Sequence, residues 1–182
     1  MGKELFTSDT HFFHDNILKH AHRPFKDKHH MHEVFIEKWN ERVDEDDEVY
    51  HLGDLSFGRT EWTLGLLARL QGRIHLILGN HDKKPERFKR YISTISNYKE
   101  IKIGDQKICL FHYPILSWNK SHRGSWNLHG HCHFNLAEDP NSRRMDVGVD
   151  NPRCDWGPIT VEEIGKFMDT RGEYIPLDHH TH

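Results

Sequence analysis

Short apolar runs rich in β-branched and aromatic residues recur in the first half of the chain, and glycine or polar residues follow each run. The runs cover residues 5–7, 49–52 and 74–78. Runs of this length that end at turn residues are typical of β-strands. The pattern therefore predicts three strands in the first half.

The segments between these strands have the apolar spacing of amphipathic helices. Apolar residues three or four positions apart are Met31, Val34, Phe35, Trp39 and Val43 in the first segment, and Trp62, Leu66, Leu67 and Leu70 in the second. An apolar face with this period predicts a helix that packs on a sheet. Strands that alternate with helices indicate a largely parallel α/β core.

The second half of the chain has a different pattern. Runs at residues 98–103 and 107–111 flank Gly104-Asp105, which predicts an antiparallel hairpin. Further strands are predicted at residues 127–128 and 145–149. Thr160 with Glu163 three residues later is a capping-box signature and predicts a last helix. We expect an α/β fold with two stacked mixed β-sheets flanked by helices.

The composition indicates one ordinary domain over residues 1–182. The net charge of −3 is spread along the chain, so no basic stripe marks a nucleic-acid-binding surface. No apolar stretch has the length of a signal-peptide core or a membrane span. Three cysteines without a Cys-x-x-Cys pair argue against disulfides and thiolate zinc sites. We therefore expect a cytoplasmic protein; its oligomeric state has no signal in the sequence.

The 18 histidines draw attention to metal binding. His179, His180 and His182 are set apart, because a cluster at the very end of a chain is expected to be a disordered tail or a cloning remnant. Several other histidines, together with Asp and Asn residues, follow predicted strands, at the edge where α/β sheets place ligands. Side chains of this kind are Asp9 and His11, Asp54, Asn80, His81 and Asp82, His112, and His131 and His133. In extended backbone, Asp9 and His11 are expected to share one face.

These residues form the motifs Asp-x-His, Gly-Asp, Gly-Asn-His-Asp, His and Gly-His-x-His, in this order across residues 9–133. The set resembles the signature of the calcineurin-like metallophosphoesterase superfamily, including its small bacterial and phage-type members. The resemblance implies a four-layer αββα sandwich and two divalent metal ions. It implies that Asp9, His11 and His133 hold one ion, that Asn80, His112 and His131 hold the other, and that Asp54 bridges both. Nitrogen and oxygen ligands without thiolate favour manganese first, with iron, zinc, nickel or cobalt as alternatives.

The resemblance also implies a mechanism. Two cations that share one water lower its pKa, so that a hydroxide attacks phosphorus without a protein nucleophile. His81 is expected to protonate the leaving oxygen, and Asp82 is expected to hold the His81 ring in its orientation and tautomer.

Four residues outside these motifs are candidate substrate contacts. His14 lies three residues after His11, and substrate contact and simple exposure are equally open for it. Arg23 is a candidate phosphate contact. Trp118 and Arg123 lie in a polar loop between His112 and His131, where Trp118 is expected either to stack on a base or only to anchor the loop. The remaining histidines, among them His32, His51 and His75, are expected to be structural or solvated.

The Gly-Asn-His-Asp form resembles phosphodiesterase-like branches of the superfamily. Protein phosphatases carry Gly-Asp-x-x-Asp-Arg-Gly, whereas Gly53-Asp54 continues here as Leu-Ser-Phe-Gly-Arg. The leading hypothesis is hydrolysis of a small phosphodiester, such as a cyclic nucleotide or another nucleotide-derived ester. The alternative is a phosphomonoesterase acting on nucleotides. A nuclease is less favoured, because the sequence shows neither a broad basic groove nor an extra domain. A metal-binding interaction scaffold is also less favoured, because the ligand set and His81 are complete.

Overall fold

Two β-sheets form the centre of the fold, which the computed structural model describes for residues 2–172. The strands in chain order are β1 (Glu4–Thr7), β2 (Glu48–His51), β3 (Arg73–Ile77), β4 (Ile92–Ser96), β5 (Tyr98–Ile103), β6 (Gln106–Phe111), β7 (Trp126–His129), β8 (Arg144–Asp146) and β9 (Ile159–Thr160). The helices are α1 (Ile17–His20), α2 (Lys28–Arg42), α3 (Thr60–Leu67) and α4 (Val161–Asp169). His179, His180 and His182 lie outside the described residues.

The first sheet has the strand order β4-β3-β2-β1-β9. Its first four strands run parallel, and β9 pairs antiparallel with β1. The second sheet has the order β5-β6-β7-β8, with an antiparallel β5–β6 hairpin and parallel pairs between β6, β7 and β8. A bridge between Ser8 and Gly148 joins the two sheets just beyond β1 and β8. The predicted α/β sandwich of two mixed sheets is confirmed.

Both faces of the first sheet are buried, as its continuous apolar strands require. Leu5 belongs to a buried cluster with Met31 and Phe35 of α2. Phe6, which points to the other face, belongs to a second cluster with Leu110 and Leu128 of the second sheet. The two clusters define a helix-covered face and an inter-sheet core.

The last helix begins at the predicted cap. The Thr160 hydroxyl accepts a hydrogen bond from the Glu163 backbone N–H, and the Glu163 carboxylate accepts one from the Thr160 backbone N–H. Its apolar residues Ile164, Phe167 and Met168 are buried in the inter-sheet cluster. The capping box is therefore confirmed in both of its halves.

Some elements had no prediction. The strand β4 contains three Ser or Thr residues and lies at a sheet edge, so it lacks a strong apolar pattern. The strand β9 has two residues and α1 has four, which is too short for any periodicity. The three cysteines are free thiols, as expected. None of the helices within residues 2–172 has the length and apolar character needed to cross a membrane.

Candidate metal centre

The loops that follow β1 and β2 run side by side at the carboxyl edge of the first sheet. The Asp9 N–H donates to the Gly53 carbonyl at 3.0 Å, and the His11 N–H donates to the Asp54 carbonyl at 3.0 Å. Parallel strands end at the same edge, so their following residues converge there. The main chain thus places Asp9, His11 and Asp54 in one crevice.

Two overlapping groups of side chains meet in this crevice. Asp9, His11 and His133 present one ligand atom each within 4.8 Å of one another, and so do Asp9, Asp54 and His112. The His11 Nε2 lies 3.8 Å from Asp9 Oδ1 and 3.7 Å from Asp54 Oδ2. These distances leave space between the atoms for an ion and are too long for direct hydrogen bonds.

Asn80 and His131 complete the crevice on the side of the second sheet. The Asn80 Oδ1 lies 3.0 Å from His112 Nε2 and 3.2 Å from His131 Nδ1. The His112 Nε2 also lies 3.6 Å from Asp54 Oδ2. All seven residues that the family resemblance names as ligands therefore surround one crevice, with Asp54 between the two halves.

A hydrogen bond behind His112 defines its tautomer. The His112 Nδ1 lies 2.7 Å from the Leu52 carbonyl oxygen, which only accepts, so Nδ1 carries the proton. In the neutral ring the lone pair is then on Nε2, which faces the oxygens of Asp54 and Asn80, and a cation between these atoms would stabilise that arrangement. This arrangement prepares a histidine to bind a cation.

Buried polar atoms in the crevice test whether metal ions fit. Asp9 Oδ1 and both ring nitrogens of His11 are buried and have no hydrogen-bond partner within residues 2–172. Burial raises the pKa of Asp9 to about 8, and burial, followed by the charge of His133, lowers the pKa of His11 far below its ordinary value. Buried polar groups without partners are costly, and a cation among them removes that cost. The donor set therefore fits divalent metal ions.

The backbone of the ligand loops differs from the expected extended form. Five ligand residues have positive φ: Asp9 at 57°, His11 at 48°, Asp54 at 56°, His131 at 70° and His133 at 47°. Non-glycine residues rarely adopt this conformation, and it concentrates at functional sites. Asp9 and His11 therefore converge through left-handed turns, and the expectation that they share a face in extended backbone was wrong.

Gly53 allows the loops to approach each other. Its φ is 98°, and a Cβ at this position would lie 2.5 Å from the Gly79 nitrogen and 2.7 Å from His112 Nδ1. Any side chain here would push the Asp54 and Asn80 loops apart.

His81 lies at the open side of the crevice, and its side chain is 45% exposed. Its Nε2 is 4.0 Å from Asp54 Oδ2, and its backbone N–H donates to Asp54 Oδ1 at 2.9 Å. The ring packs against Phe57 with a centroid distance of 4.8 Å. A ring that is exposed beside the ligands is able to reach a bound substrate.

Asp82 does not hold the His81 ring as expected. Its Oδ2 accepts hydrogen bonds from the Asp54 N–H at 2.7 Å and the Gly79 N–H at 2.8 Å, and its Oδ1 accepts one from the Leu55 N–H at 3.0 Å. The carboxylate thus ties the β2 and β3 loops together. Asp82 acts on the site through the backbone of Asp54.

Arg23 is also placed differently from the expectation. Its guanidinium is buried and donates to both carboxylate oxygens of Asp150, to the Asp9 and Thr10 carbonyls and to the Met31 sulfur. All five N–H groups are used, so Arg23 cannot contact a phosphate. The expected phosphate contact is a support of the Asp9 loop instead.

The loop that carries Trp118 and Arg123 lies away from the crevice. The Trp118 indole is buried and donates to the Ser125 carbonyl at 3.1 Å, so it anchors the loop and is not free to stack on a base. Arg123 lines a cavity with Gln106 at the start of β6, whereas His112 follows the end of β6. The six residues of β6 place Gln106, and with it the cavity of Arg123, about 20 Å from His112. Neither residue belongs to the metal centre.

His14 lies at the rim of the crevice. Its ring stacks on Phe57 at 4.2 Å and lies 5.6 Å from the His11 ring. Desolvation by burial, followed by the charge of His20, lowers its pKa. This place at the rim fits both interpretations of His14, namely contact with the substrate and simple surface exposure.

Sequence reasoning did not predict that two further residues, Asp150 and His51, support the site. The Asp150 carboxylate accepts a hydrogen bond from His133 Nδ1 at 2.7 Å, which turns the other ring nitrogen towards the crevice. The buried His51 ring contacts the Thr10 hydroxyl at 3.0 Å and the Gly53 N–H at 3.2 Å, so it joins the two ligand loops. The sequence motif Asp-Val-Gly-Val-Asp, which ends at Asp150, was a weak sign that Asp150 belongs to the site. For His51 the only sign was its position shortly before Gly53-Asp54.

The fold and this constellation of Asp, Asn and His side chains are those of a metallophosphoesterase. The profile of the calcineurin-like phosphoesterase family matches residues 3–166. The chain therefore belongs to the calcineurin-like phosphoesterase family, whose members are metal-dependent hydrolases of phosphoesters.

Relatives cover nearly the whole chain. An uncharacterised protein of Methanocaldococcus jannaschii is 36% identical over 93% of both chains. The gene 66 protein of Mycobacterium phage D29 is 28% identical over 82% of this chain and 89% of its own. A solved structure of a protein of unknown function from Aquifex aeolicus is 28% identical, covers 92% of this chain and all of its own, and superposes with a TM-score of 0.75. Relatives of this chain therefore occur in an archaeon and a phage, and the protein from Aquifex aeolicus has a similar fold.

Proposed function

We propose that this chain is a binuclear metal-dependent phosphodiesterase that hydrolyses a small phosphodiester. The central position of Asp54 carries the proposal. Its Oδ2 lies 3.7 Å from His11 Nε2, 3.6 Å from His112 Nε2 and 4.0 Å from His81 Nε2. One carboxylate between two groups of ligands is suited to bridge two cations, because its charge offsets their repulsion.

In this proposal each half of the crevice holds one ion. Asp9, His11 and His133 would hold the first ion, Asn80, His112 and His131 would hold the second, and Asp54 would be shared between them. Manganese is the first candidate, followed by iron, zinc, nickel and cobalt, because the ligands are oxygen and imidazole nitrogen without thiolate. When bound, the ions supply the Lewis acidity that activates a water and stabilises charge on the phosphoryl oxygens.

His81 is the proposed general acid. It is exposed at the mouth of the crevice, and its backbone is fixed to Asp54 by a hydrogen bond at 2.9 Å. A protonated imidazole at this place donates its proton to the leaving oxygen. Asp82 supports this step indirectly, since it holds the loop on which both residues depend.

The charge of the site favours a diester over a monoester. A phosphate monoester carries up to two negative charges at neutral pH, and a diester carries one. Of the two arginines that the sequence offers as phosphate contacts, Arg23 is saturated by Asp150 and backbone carbonyls, and Arg123 lies at the far end of β6. A nucleotide-derived diester, including a cyclic nucleotide, is therefore proposed ahead of a nucleotide monoester.

The proposal includes a cytoplasmic location. The three free thiols support it, because unpaired cysteines are usual in a reducing compartment.

The test compares bis-p-nitrophenyl phosphate with p-nitrophenyl phosphate, using metal-stripped protein to which manganese is returned. We expect manganese-dependent hydrolysis of the diester that is lost in Asp54→Asn and retained in Asp46→Asn, an exposed aspartate outside the crevice. Metal analysis of the loaded protein should give two ions per chain. Cleavage of the monoester alone would replace the proposal with a phosphomonoesterase; binding of two ions without any hydrolysis would favour a scaffold.

A further inference from the structure

A row of aromatic rings leads away from the metal centre across the outer face of the second sheet. The Tyr113 ring lies 4.6 Å from the His131 ring, Phe111 lies 5.6 Å from Tyr113, and Tyr98 lies 6.2 Å from Phe111. Tyr98 is 42% exposed and Tyr113 is 38% exposed. A row of partly exposed aromatic rings beside the metal centre is a candidate binding surface.

The strand register extends this row towards basic residues. In the β5–β6 hairpin Tyr98 pairs with Phe111, Glu100 with Cys109, and Lys102 with Lys107. Side chains two positions apart in a strand share a face, so all six lie on the same face of the hairpin. The face is therefore aromatic near the metal centre and basic at its other end.

The basic end is a cavity of about 200 Å³ whose lining includes Lys107, Lys120 and Arg123. None of these three cations forms an ion pair within residues 2–172. Contact with Lys120, and then its charge, lowers the pKa of Lys107. Cations that repel each other around a cavity create a site for an anion.

The carboxylates on this face are fewer than the cations, although one of them, Asp105, itself lines the cavity. Asp105 pairs with Lys102 at 3.1 Å. Glu100 accepts hydrogen bonds from the Tyr98 hydroxyl at 2.8 Å and from the Asn119 amide at 2.7 Å. Four cations, namely Lys102, Lys107, Lys120 and Arg123, therefore face two carboxylates that already have partners.

A second depression, of about 270 Å³, makes the surface continuous. It is lined by Glu100, Lys102, Cys109 and Asn119, and it shares Lys107 with the basic cavity. The whole face follows β6 from Gln106 to His112, which is about 20 Å at the rise of a strand.

We propose that this face binds a single-stranded nucleic acid chain, with bases on the row Tyr113, Phe111 and Tyr98 and backbone phosphates in the cavity of Lys107, Lys120 and Arg123. Stacking platforms combined with a positively charged groove are the features that bind single strands without sequence preference. The catalytic part rests on the proposed function, because the same chain would present a phosphodiester to the metal centre at the aromatic end. In the sequence these cations form no run, and the hairpin and the 121–123 turn bring them together.

The binding test uses a fluorescein-labelled oligothymidylate of about six nucleotides, within the usual range of site sizes. Phosphorothioate linkages slow its hydrolysis by the metal-loaded protein. We expect salt-dependent binding, measured by fluorescence anisotropy. Lys107→Ala/Lys120→Ala should weaken it and make the slope of log K against log salt shallower by about 1.4, since each phosphate contact on a single strand contributes roughly 0.7.

The matched control is Lys26→Ala/Lys166→Ala, which removes two exposed lysines from other elements. It should leave the affinity within about twofold, whereas Tyr98→Leu should weaken binding by about fivefold or more, the loss expected for one stacked base. For hydrolysis, Lys107→Ala/Lys120→Ala should raise KM for an unmodified oligothymidylate and leave kcat/KM for bis-p-nitrophenyl phosphate unchanged, because this small diester does not reach the cavity.

Three results would overturn the proposal. The first is a wild-type protein that hydrolyses bis-p-nitrophenyl phosphate and does not bind the oligonucleotide, which would leave the proposed function intact. The second is an equal effect of the two double variants. The third is competition by polyglutamate at equal affinity together with no effect of Tyr98→Leu, which would assign the face to an acidic protein partner.

Discussion

Arg23 and Asp150, which are 127 residues apart in the chain, form a buried two-point ion pair beneath the metal centre, with N–O distances of 2.7 and 2.8 Å. Asp150 uses the same carboxylate to hold His133 Nδ1. Burial opposes its ionisation, but hydrogen bonds from Arg23 and His133 keep the pKa of Asp150 below its ordinary value. A charge on Asp150 therefore both orients a metal ligand and neutralises a buried guanidinium.

Asp150→Asn is expected to damage metal binding and stability together. Loss of a group that orients a metal-binding histidine typically lowers metal affinity by about 10- to 100-fold. Breaking a buried ion pair leaves Arg23 uncompensated and lowers the free energy of unfolding by about 3–5 kcal/mol. Manganese titration calorimetry and urea unfolding of the metal-free protein measure the two effects.

Asp155→Asn is the matched control, because Asp155 pairs with Lys38 at an exposed site. This variant should lose about 1 kcal/mol or less and keep its metal affinity. Equal behaviour of the two variants would contradict the role assigned to Asp150.

His81 and Asp82 are neighbours, but their alanine variants are expected to differ: one should lose turnover and keep its metal, and the other should lose metal. His81→Ala should lower kcat by about 10²- to 10⁴-fold with unchanged metal content, because in the proposed function its ring transfers a proton and does not bind metal. Asp82→Ala leaves three backbone N–H groups without their acceptor, and each costs about 1–3 kcal/mol where water does not replace it. Metal content should therefore fall in Asp82→Ala, because the Asp54 loop is no longer held.

Metal analysis and kcat measured on the same preparations separate the two roles. Loss of metal in His81→Ala would show that His81 is a ligand. Full metal content and stability in Asp82→Ala would show that the loops do not need the carboxylate.

The parts of the molecule that were predictable from sequence are those with local patterns. The runs at β1, β2 and β3, the Gly104-Asp105 turn and the Thr160–Glu163 cap each express a short-range rule, and the structure contains all of them. The ligand set depended on motif order, since no single Gly-Asp or histidine is specific. The contact between Asp150, which follows β8, and Arg23 was not predictable, because the two residues are 127 positions apart in the chain and no local pattern links them.

The lack of a local sequence pattern also explains why the roles expected of Arg23 and Asp82 were wrong. From the sequence alone Arg23 is a reasonable candidate for a phosphate contact. No neighbouring residue indicates that its guanidinium donates to both carboxylate oxygens of Asp150. Asp82 follows His81 directly, yet the left-handed φ of Asp54 brings main-chain N–H groups to its carboxylate. Such turns at non-glycine residues leave no trace in hydrophobic periodicity.

His14 is expected to contact the substrate. It is half-buried at the rim, and its ring is stacked on Phe57 at 4.2 Å. A hydrogen bond to a charged phosphate is typically worth about 1.5–3 kcal/mol, so His14→Ala should raise KM for a diester about tenfold or more. The kcat should change much less, and the metal content should stay the same.

His20→Ala is the control for His14, because the two rings lie 6.2 Å apart and His20 is the outer one. It should leave KM nearly unchanged. An unchanged KM in His14→Ala would assign His14 to simple surface exposure, and a loss of metal would assign it to the ligand set.

His32 makes stability depend on pH outside the metal centre. Its Nε2 accepts a hydrogen bond from the Phe13 N–H at 2.9 Å, so the ring must be neutral to hold the loop that follows His11. Burial, followed by the charge of His29, lowers the pKa of His32 from 6.5 to about 4. Between these values the unfolded chain binds a proton that the folded chain does not, so stability falls as pH falls from about 6.5 to 4, by about 3 kcal/mol in full.

His32→Gln isolates this effect, because a glutamine amide oxygen accepts from the Phe13 N–H and does not titrate. Urea unfolding in EDTA at pH 7 and pH 4.5 gives the free energy of unfolding of both proteins without metal ions. The wild type should lose more stability between the two pH values than His32→Gln, by about 2–3 kcal/mol. Equal losses would mean that His32 has the same protonation in the folded and the unfolded chain. The hydrogen bond from the Phe13 N–H would then not control the protonation of His32.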